Sequence, residues 1–135
     1  MLLNHDLKPG ETITNRQLMN IFHCACEGGI RYSSKTGTIV LVINKTKDGF
    51  PNVWNGNTLN FAGRPLKNGF SGANKRLNEF LQGGLPVFLF EVNIPGKYTY
   101  LGQVVSAGTW KEEKTATGTD YPTFPIRLTK PAQVK

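Results

Sequence analysis

The sequence of 135 residues has few of the side chains that perform acid–base, metal and disulfide chemistry. Its two histidines are His5 and His23, and its two cysteines are Cys24 and Cys26, all near the N-terminus. Cysteines separated by one residue cannot staple a fold together, and two are too few for a disulfide framework. We therefore expect a cytoplasmic protein without disulfides and without a cofactor.

Long apolar runs and targeting signals are also missing. The longest uninterrupted apolar run covers residues 39–43, whereas a membrane helix needs about 20 such residues. Residues 1–9 lack the basic-then-apolar pattern of a signal peptide. The sequence thus predicts no membrane partner. With 39% hydrophobic residues the chain can bury a core, and its length fits a single domain.

Acidic residues are scarce in the middle of the chain. The net charge is +7, and between residues 28 and 78 the only acid is Asp48. The basic residues in this segment are Arg31, Lys35, Lys45, Lys47, Arg64, Lys67, Lys75 and Arg76. The segment therefore holds the whole net charge, and a segment of one sign suits a polyanion, because counterion release drives binding. The alternative is that these residues scatter over several faces of the fold.

The hydrophobic pattern predicts an α+β single domain with two short helices around a curved, mostly antiparallel β-sheet or a partly closed barrel. The first helix follows the cap residue Thr14 and ends at Gly28-Gly29, and the second covers residues 74–81. Predicted strands cover residues 38–43, 58–61, 86–93, 98–105 and 121–128. Turns are predicted at Asp48-Gly49 and Asn55-Gly56.

Patterns for catalysis and metal binding are weak. Residues 112–114 contain the Glu-x-Lys half of a nuclease triad, and Glu91, Asp48 or Asp120 would have to supply its other acid. The surrounding segment is typical of a surface loop. Residues 23–26 contain one His and two Cys, but neighbouring helix positions point to different sides, and no second ligand pair follows. We expect no catalytic residue and no metal, which favours a binding module.

Aromatic, amide and glycine residues occur together inside the basic segment, at residues 50–57 and 59–64. Aromatic faces stack on nucleobases, side-chain amides read base edges, and glycines let a ligand approach the backbone closely. Together these residues predict a nucleobase pocket. The alternative is that Trp54 and Phe61 belong to the core, and for Trp54 alone we favour that interpretation.

A series of short motifs, spread over residues 10–128, resembles the SRA-like (SET- and RING-associated) domains of the PUA-like superfamily. The resemblance is greatest to the modules of McrA-type modification-dependent restriction proteins and to helicase-fused modules. The motifs in chain order are Asn15-Arg16, Gly28-Gly29-Ile30, Phe50-Pro51-Asn52-Val53-Trp54, residues 56–63, residues 69–77, residues 89–92, Tyr98-x-Tyr100-x-Gly102 and residues 124–128. The resemblance implies an SRA-like domain over residues 10–130, with residues 1–9 and 131–135 as terminal extensions.

The resemblance also implies a non-catalytic reader of double-stranded DNA that flips a modified base, expected to be a modified cytosine such as 5-methylcytosine, into an aromatic pocket. It would serve a type IV restriction system of bacterial defence, together with a nuclease or helicase on another chain or domain. Pairing of two copies is left open. The implied base-pocket residues are Phe50, Asn52, Trp54, Phe61, Ala62 and Gly63. The implied residues for the DNA backbone, or for the gap left by the flipped base, are Arg31, Arg64, Lys67, Ser71, Asn74, Lys75 and Arg76.

Four positions depart from the family pattern. One is Ala62, in place of Thr, which makes the pocket slightly roomier and favours a bulkier modification. Asn52 stands where the family usually has Asp, and Phe50 and Phe61 stand where it often has Tyr. An Asn amide can pair with the edge of cytosine or with that of adenine, so the base and its modification, whether methyl, hydroxymethyl or larger, stay open. Two other functions also stay open, a PUA-like RNA-binding module and a small nuclease using Glu91, Glu112 and Lys114.

Overall fold

A computed structural model of the chain describes residues 6–47, 51–67 and 69–128. The helices are α1 (Asn15–Phe22) and α2 (Gly72–Gly83). The strands are β1 (Thr12–Ile13), β2 (Ile30–Ser33), β3 (Thr38–Asn44), β4 (Val53–Asn55), β5 (Thr58–Ala62), β6 (Val87–Ile94), β7 (Lys97–Ala107), β8 (Lys111–Lys114) and β9 (Asp120–Leu128). The predicted α+β fold with two short helices is confirmed.

The strands form one nine-stranded sheet that follows the path β2-β3-β6-β7-β9-β5-β4, with β1 attached to β7 and β8 attached to β9. β3 and β6 run parallel, and the other pairings among the described residues are antiparallel. β7 pairs with β6 through its first part and with β9 through its last part, with a register shift between Val104 and Ser106. Within the described residues the two end strands of this path, β2 and β4, are not paired with each other, so the sheet is open and does not close into a barrel.

β3 is buried on both faces, and its side chains alternate between two hydrophobic cores. Ile39, Leu41 and Ile43 pack with β5, β6, β9 and α2 on the inner face. Val40 and Val42 pack on the outer face, beneath α1. This double burial explains why the sequence of β3 is a continuous β-branched and apolar run and does not alternate with polar residues.

Helix α1 covers the outer core and ends earlier than the sequence predicts. Thr14 and Gln17 form a capping box at its start, while Leu18 and Phe22 are fully buried. The helix ends at His23, which adopts a left-handed conformation (φ 56°), so the predicted end at Gly28-Gly29 is wrong. The chain leaves the helix because the carbonyls of Ala25 and Gly28 accept hydrogen bonds from Arg31 instead of helical N–H groups.

Four strands, β1, β2, β4 and β8, were not predicted, and each has only two to four residues. All four residues of β8 are exposed, and its pairing with β9 rests on backbone hydrogen bonds, so the predicted surface loop at residues 112–114 is wrong. β4 pairs with β5 across a two-residue turn of Gly56 and Asn57, next to the predicted position, and Gly56 has φ 66°. A glycine with positive φ at the first turn position is typical of a type II′ hairpin. The predicted Asp48-Gly49 turn lies outside the described residues.

Asn74 joins helix α2 to the chain segment that follows β5. Its Oδ1 accepts a hydrogen bond from the backbone N–H of Arg64 (2.8 Å), and its Nδ2 donates to the carbonyl of Arg64 (2.9 Å). The side chain is only 2% exposed. Both backbone groups of Arg64 therefore depend on one buried amide.

Asn74→Ala is expected to lower the free energy of unfolding by about 2–3 kcal/mol, because it leaves buried polar groups without partners. The midpoint of urea unfolding measures this effect. The matched control is Asn78→Ala, one turn further along α2, which is expected to change stability by less than about 1 kcal/mol. Equal losses in the two variants would contradict the role of Asn74.

Candidate functional site

A cavity of about 560 Å³ opens beside the carboxyl ends of β3 and β5. Its walls also include the loop before β2 and the start of β7. The lining residues are Cys26, Glu27, Gly28, Gly29, Arg31, Val42, Ile43, Asn44, Lys45, Lys47, Asn52, Ala62, Gly63 and Tyr98. Its volume is in the usual range for small-ligand sites, about 300–1,000 Å³. The structure thus brings Asn52, Ala62 and Gly63 of the predicted pocket into one cavity.

Gly63 is confined by its neighbours. Its backbone N–H donates to the carbonyl of Pro122 (2.8 Å). A Cβ at this position would lie 2.5 Å from Oδ1 of Asn74 and 2.9 Å from ring atoms of both Phe124 and Pro122. Any side chain would therefore collide with the amide that holds Arg64. Glycine is required here for packing and not for a special backbone angle.

Asn52 fixes the chain before β4 against the end of β5. Its Oδ1 accepts a hydrogen bond from the backbone N–H of Ala62 (2.8 Å), and both residues line the cavity. Because neighbouring side chains of a strand point to opposite faces, Ala62 lies on the cavity side of β5 while Phe61 points into the core. The amide of Asn52 is thereby oriented at the cavity wall.

Phe61 and Trp54 contact the hydrophobic core, whereas the pocket hypothesis requires aromatic rings that are exposed in the cavity. Phe61 is 2% exposed and belongs to the inner core, and its Cζ lies 4.0 Å from the position of a Cβ on Gly29. It forms part of the core under the cavity, so its predicted role as an open stacking ring is wrong. Trp54 packs against the same core and does not line the cavity. Phe50, the other predicted stacking ring, lies outside the described residues.

Arg31 is buried in the cavity wall. Its Nε donates to the carbonyl of Gly28 (2.8 Å), and its Nη1 donates to Oδ1 of Asn15 (2.8 Å) and to the carbonyl of Ala25 (3.4 Å). Its Cζ lies 5.5 Å from the ring centroid of Tyr98. Arg31 therefore ties the loop before β2 to α1, and the predicted role of a surface contact to the DNA backbone does not fit its burial.

Cys24 lies in the same loop and has a perturbed thiol. Burial raises the pKa of the Cys24 thiol, and the nearby positive charge of Arg31 partly opposes this rise. The thiol therefore stays protonated at neutral pH, so Cys24 is a structural cysteine with low reactivity.

The other predicted backbone-contact residues lie on or next to α2. Arg64, Lys67, Ser71, Lys75 and Arg76 are exposed. Asn74 is buried by its bonds to Arg64, so its predicted DNA contact does not fit its burial either. The guanidinium of Arg76 lies over the ring of Tyr32, with 4.0 Å between Cζ and the ring centroid. Lys75 and Arg76 lie on α2, and Arg64, Lys67 and Ser71 lie between β5 and α2.

Sequence reasoning missed several residues of the cavity, notably Glu27, Lys45, Lys47 and Tyr98. Lys45 and Lys47 were counted in the basic segment, but nothing in the sequence placed them beside Asn52. Tyr98 begins the Tyr-x-Tyr motif that was assigned to a strand. The β6–β7 hairpin and the β3–β6 pairing bring these residues together, and such long-range pairings leave no mark in a local pattern.

The residues of the nuclease alternative are engaged in two separate ion pairs. Glu91 pairs with Lys45 (2.8 Å) on one part of the sheet, and Lys114 pairs with Asp120 (2.7 Å) across the β8–β9 pairing. In the described part of the chain, no three His, Cys, Asp or Glu side chains group as metal ligands do. None of the helices described is long and apolar enough to cross a membrane.

No protein-family model matches the chain, and no curated protein matches its sequence. Solved structures do share its fold. The SRA domain of SUVH5 in complex with fully methylated CG DNA is 18% identical, with a TM-score of 0.72, and the match covers 96% of this chain and 95% of that one. The SUVH5 SRA domain bound to fully hydroxymethylated CG DNA gives the same identity and coverage, with a TM-score of 0.71.

A third similar structure contains the sulfur-binding and SRA domains of ScoMcrA with phosphorothioated DNA. It is 11% identical with a TM-score of 0.65, and the match covers 95% of this chain and 42% of that one. At such low identities the likeness concerns the course of the backbone. The arrangement of helices and strands in this chain is that of an SRA domain.

Proposed function

We propose that this protein is a non-catalytic reader of double-stranded DNA that accommodates a flipped, modified base in the cavity beside Ala62 and Gly63. The observation that carries the proposal is a ligand-sized cavity, about 560 Å³ in volume, lined by Asn52, Ala62 and Gly63 within an SRA fold. The SRA domains of similar structure were crystallised with methylated, hydroxymethylated or phosphorothioated DNA.

The cavity wall is suited to a polar, flat ligand. Asn52 presents an amide whose orientation is held by the Ala62 N–H, and an amide can both donate to and accept from a base edge. Gly63 lines the same cavity, and its close packing against Asn74, Phe124 and Pro122 fixes this part of the wall. Modified cytosine is the base we propose.

The exposed basic residues supply the affinity that does not depend on sequence. Flipping a base costs a few kcal/mol, and contacts with phosphates and with the flipped base must offset that cost. Arg64, Lys67, Lys75 and Arg76 are exposed, on α2 or between β5 and α2. We propose that they contact phosphates, as Lys and Arg side chains do in most DNA complexes.

The biological setting that fits such a reader is a restriction system in which a nuclease or helicase on another chain or domain acts on the modified DNA. One of the similar structures, ScoMcrA, bears the name of the McrA type that the sequence motifs resemble. In this setting the present domain supplies recognition and its partner supplies cleavage.

Ala62→Leu should abolish the preference for modified DNA, because the larger side chain fills the space that the base would occupy. Fluorescence anisotropy with unmodified, 5-methylcytosine, 5-hydroxymethylcytosine and N6-methyladenine duplexes measures the preference. We expect the wild-type protein to bind one modified duplex at least about tenfold more tightly than the unmodified one, and the variant to bind both equally.

The matched control for this experiment is Ala116→Leu, the same substitution in the exposed turn between β8 and β9, which should leave the preference intact. Equal binding of all duplexes by the wild-type protein at moderate salt would overturn the proposed function. Preferential binding of structured RNA in competition would replace it with the RNA-binding alternative.

Lys75→Ala should weaken binding to all duplexes by a similar factor, because a phosphate contact carries no information about the base. The slope of log K against log salt concentration should fall by about 1. The control is Lys97→Ala in the β6–β7 hairpin, which is also exposed and should leave the slope unchanged. A loss confined to the modified duplex would contradict the assignment of Lys75 to phosphate.

A further inference from the structure

The guanidinium of Arg31 is a buried cation whose hydrogen-bond partners are all neutral. The residue is 4% exposed, and its bonds go to two backbone carbonyls and to the amide of Asn15. Neither ion pair among the described residues includes it. No carboxylate of the described residues therefore forms an ion pair with the positive charge of Arg31.

Burying a charge in this way is costly. An arginine cannot escape the cost by losing its proton, and buried charges are normally paired with a charge of opposite sign. The ring of Tyr98, 5.5 Å from Cζ, offers weak compensation through its π-electrons. The arrangement is one that an anionic ligand would complete.

Arg31 lines the cavity. Its hydrogen bonds to Gly28, Asn15 and Ala25 use Nε and Nη1, and its side chain also interacts with the thiol of Cys24. These neutral groups hold the guanidinium without neutralising it, so its positive charge acts on the space proposed for the base.

The remaining charges of the cavity wall add to this effect. Lys45 and Lys47 also line the cavity, against Glu27 as the carboxylate among the lining residues. The charge of Lys45 is matched by Glu91. Among the described lining residues, Arg31 and Lys47 thus outweigh Glu27, and this part of the wall is positive.

We propose that the cavity contains an anion subsite centred on the guanidinium of Arg31, which binds a group with anionic oxygens on the flipped nucleotide. This inference rests on the proposed function, since it requires a nucleotide in the cavity. The anionic group could come from the phosphate that flanks the flipped base or from an acidic substituent, such as a carboxyl group, on the base itself. In either case Asn15, Ala25 and Gly28 hold the guanidinium in place before the ligand arrives, which reduces the entropy lost on binding.

The experiment uses the full chain and duplexes with one modified cytosine. In the first arm, a neutral methylphosphonate replaces the phosphate next to 5-methylcytosine, and the control duplex carries it several base pairs away. In the second arm, 5-carboxylcytosine is compared with 5-methylcytosine. A charge-assisted hydrogen bond in a closed site predicts an effect of about tenfold or more in the arm that supplies the anion.

Both arms are repeated with Arg31→Gln and with Arg127→Gln, which removes the same charge from an exposed position on β9 outside the cavity. If Arg31 binds the phosphate, the flanking methylphosphonate weakens the wild-type complex more than the distant one, and Arg31→Gln abolishes the difference. If Arg31 binds the base, 5-carboxylcytosine is bound more tightly than 5-methylcytosine, and Arg31→Gln removes that advantage. Arg127→Gln should retain the wild-type pattern.

The wild-type arms keep the test decisive if Arg31→Gln does not fold, because they change the DNA and not the protein. Absence of both effects in the wild-type protein would overturn the anion subsite. If the protein then still prefers 5-methylcytosine to cytosine, the proposed function stands without the subsite. If it prefers no modified duplex, the proposed function fails independently.

Discussion

The burial of β3 on both faces is the constraint on which the rest of the structure depends. Its odd-numbered residues belong to the inner core and Val40 and Val42 belong to the outer core, so one strand holds two layers together. Such a strand must be flanked by strands on both sides, and β2 and β6 supply them. The end of β3 then carries Asn44 and the basic residues that follow it to the cavity. The cavity is therefore positioned by a strand that is buried on both faces, and its basic wall continues directly from that strand.

Residues of β5 that face the core stabilise the fold, whereas those at its end border the proposed binding cavity. Leu59 and Phe61 point into the inner core, whereas Ala62 and Gly63 border the cavity. Truncating a buried Phe lowers the free energy of unfolding by about 3–5 kcal/mol. A substitution of Phe61 would therefore destabilise the fold, and its effect on DNA binding could not be separated from that loss. Changes at Ala62 act on the cavity alone. Close packing of Gly63 against Asn74, Pro122 and Phe124 fixes this edge, so the cavity wall is formed before any ligand binds.

The sequence predicted the elements whose signals are local. The cap at Thr14, the apolar run of β3 and the turn at Gly56 each act through neighbouring residues, and they appear at or next to the predicted positions. The end of α1 was missed because the carbonyls of Ala25 and Gly28 bond to the side chain of Arg31, a contact that helical periodicity does not reveal. The roles of Arg31 and Asn74 were misjudged for the same reason. A charged or amide side chain in a basic segment suggests a surface contact, and only the folded structure shows that both are buried.

The net charge of the segment between residues 28 and 78 thus separates into two physically distinct parts. Exposed residues such as Lys75 are fully hydrated and act on any polyanion, with strong dependence on salt. Arg31 is shielded from salt and from bulk water, so its interaction with an anion is stronger and depends on geometry. The first group can bring duplex DNA to the surface but cannot distinguish one nucleotide from another. Discrimination has to come from groups that a nucleotide meets only after it has left the stack, and Arg31 and Asn52 are held at the wall of that space.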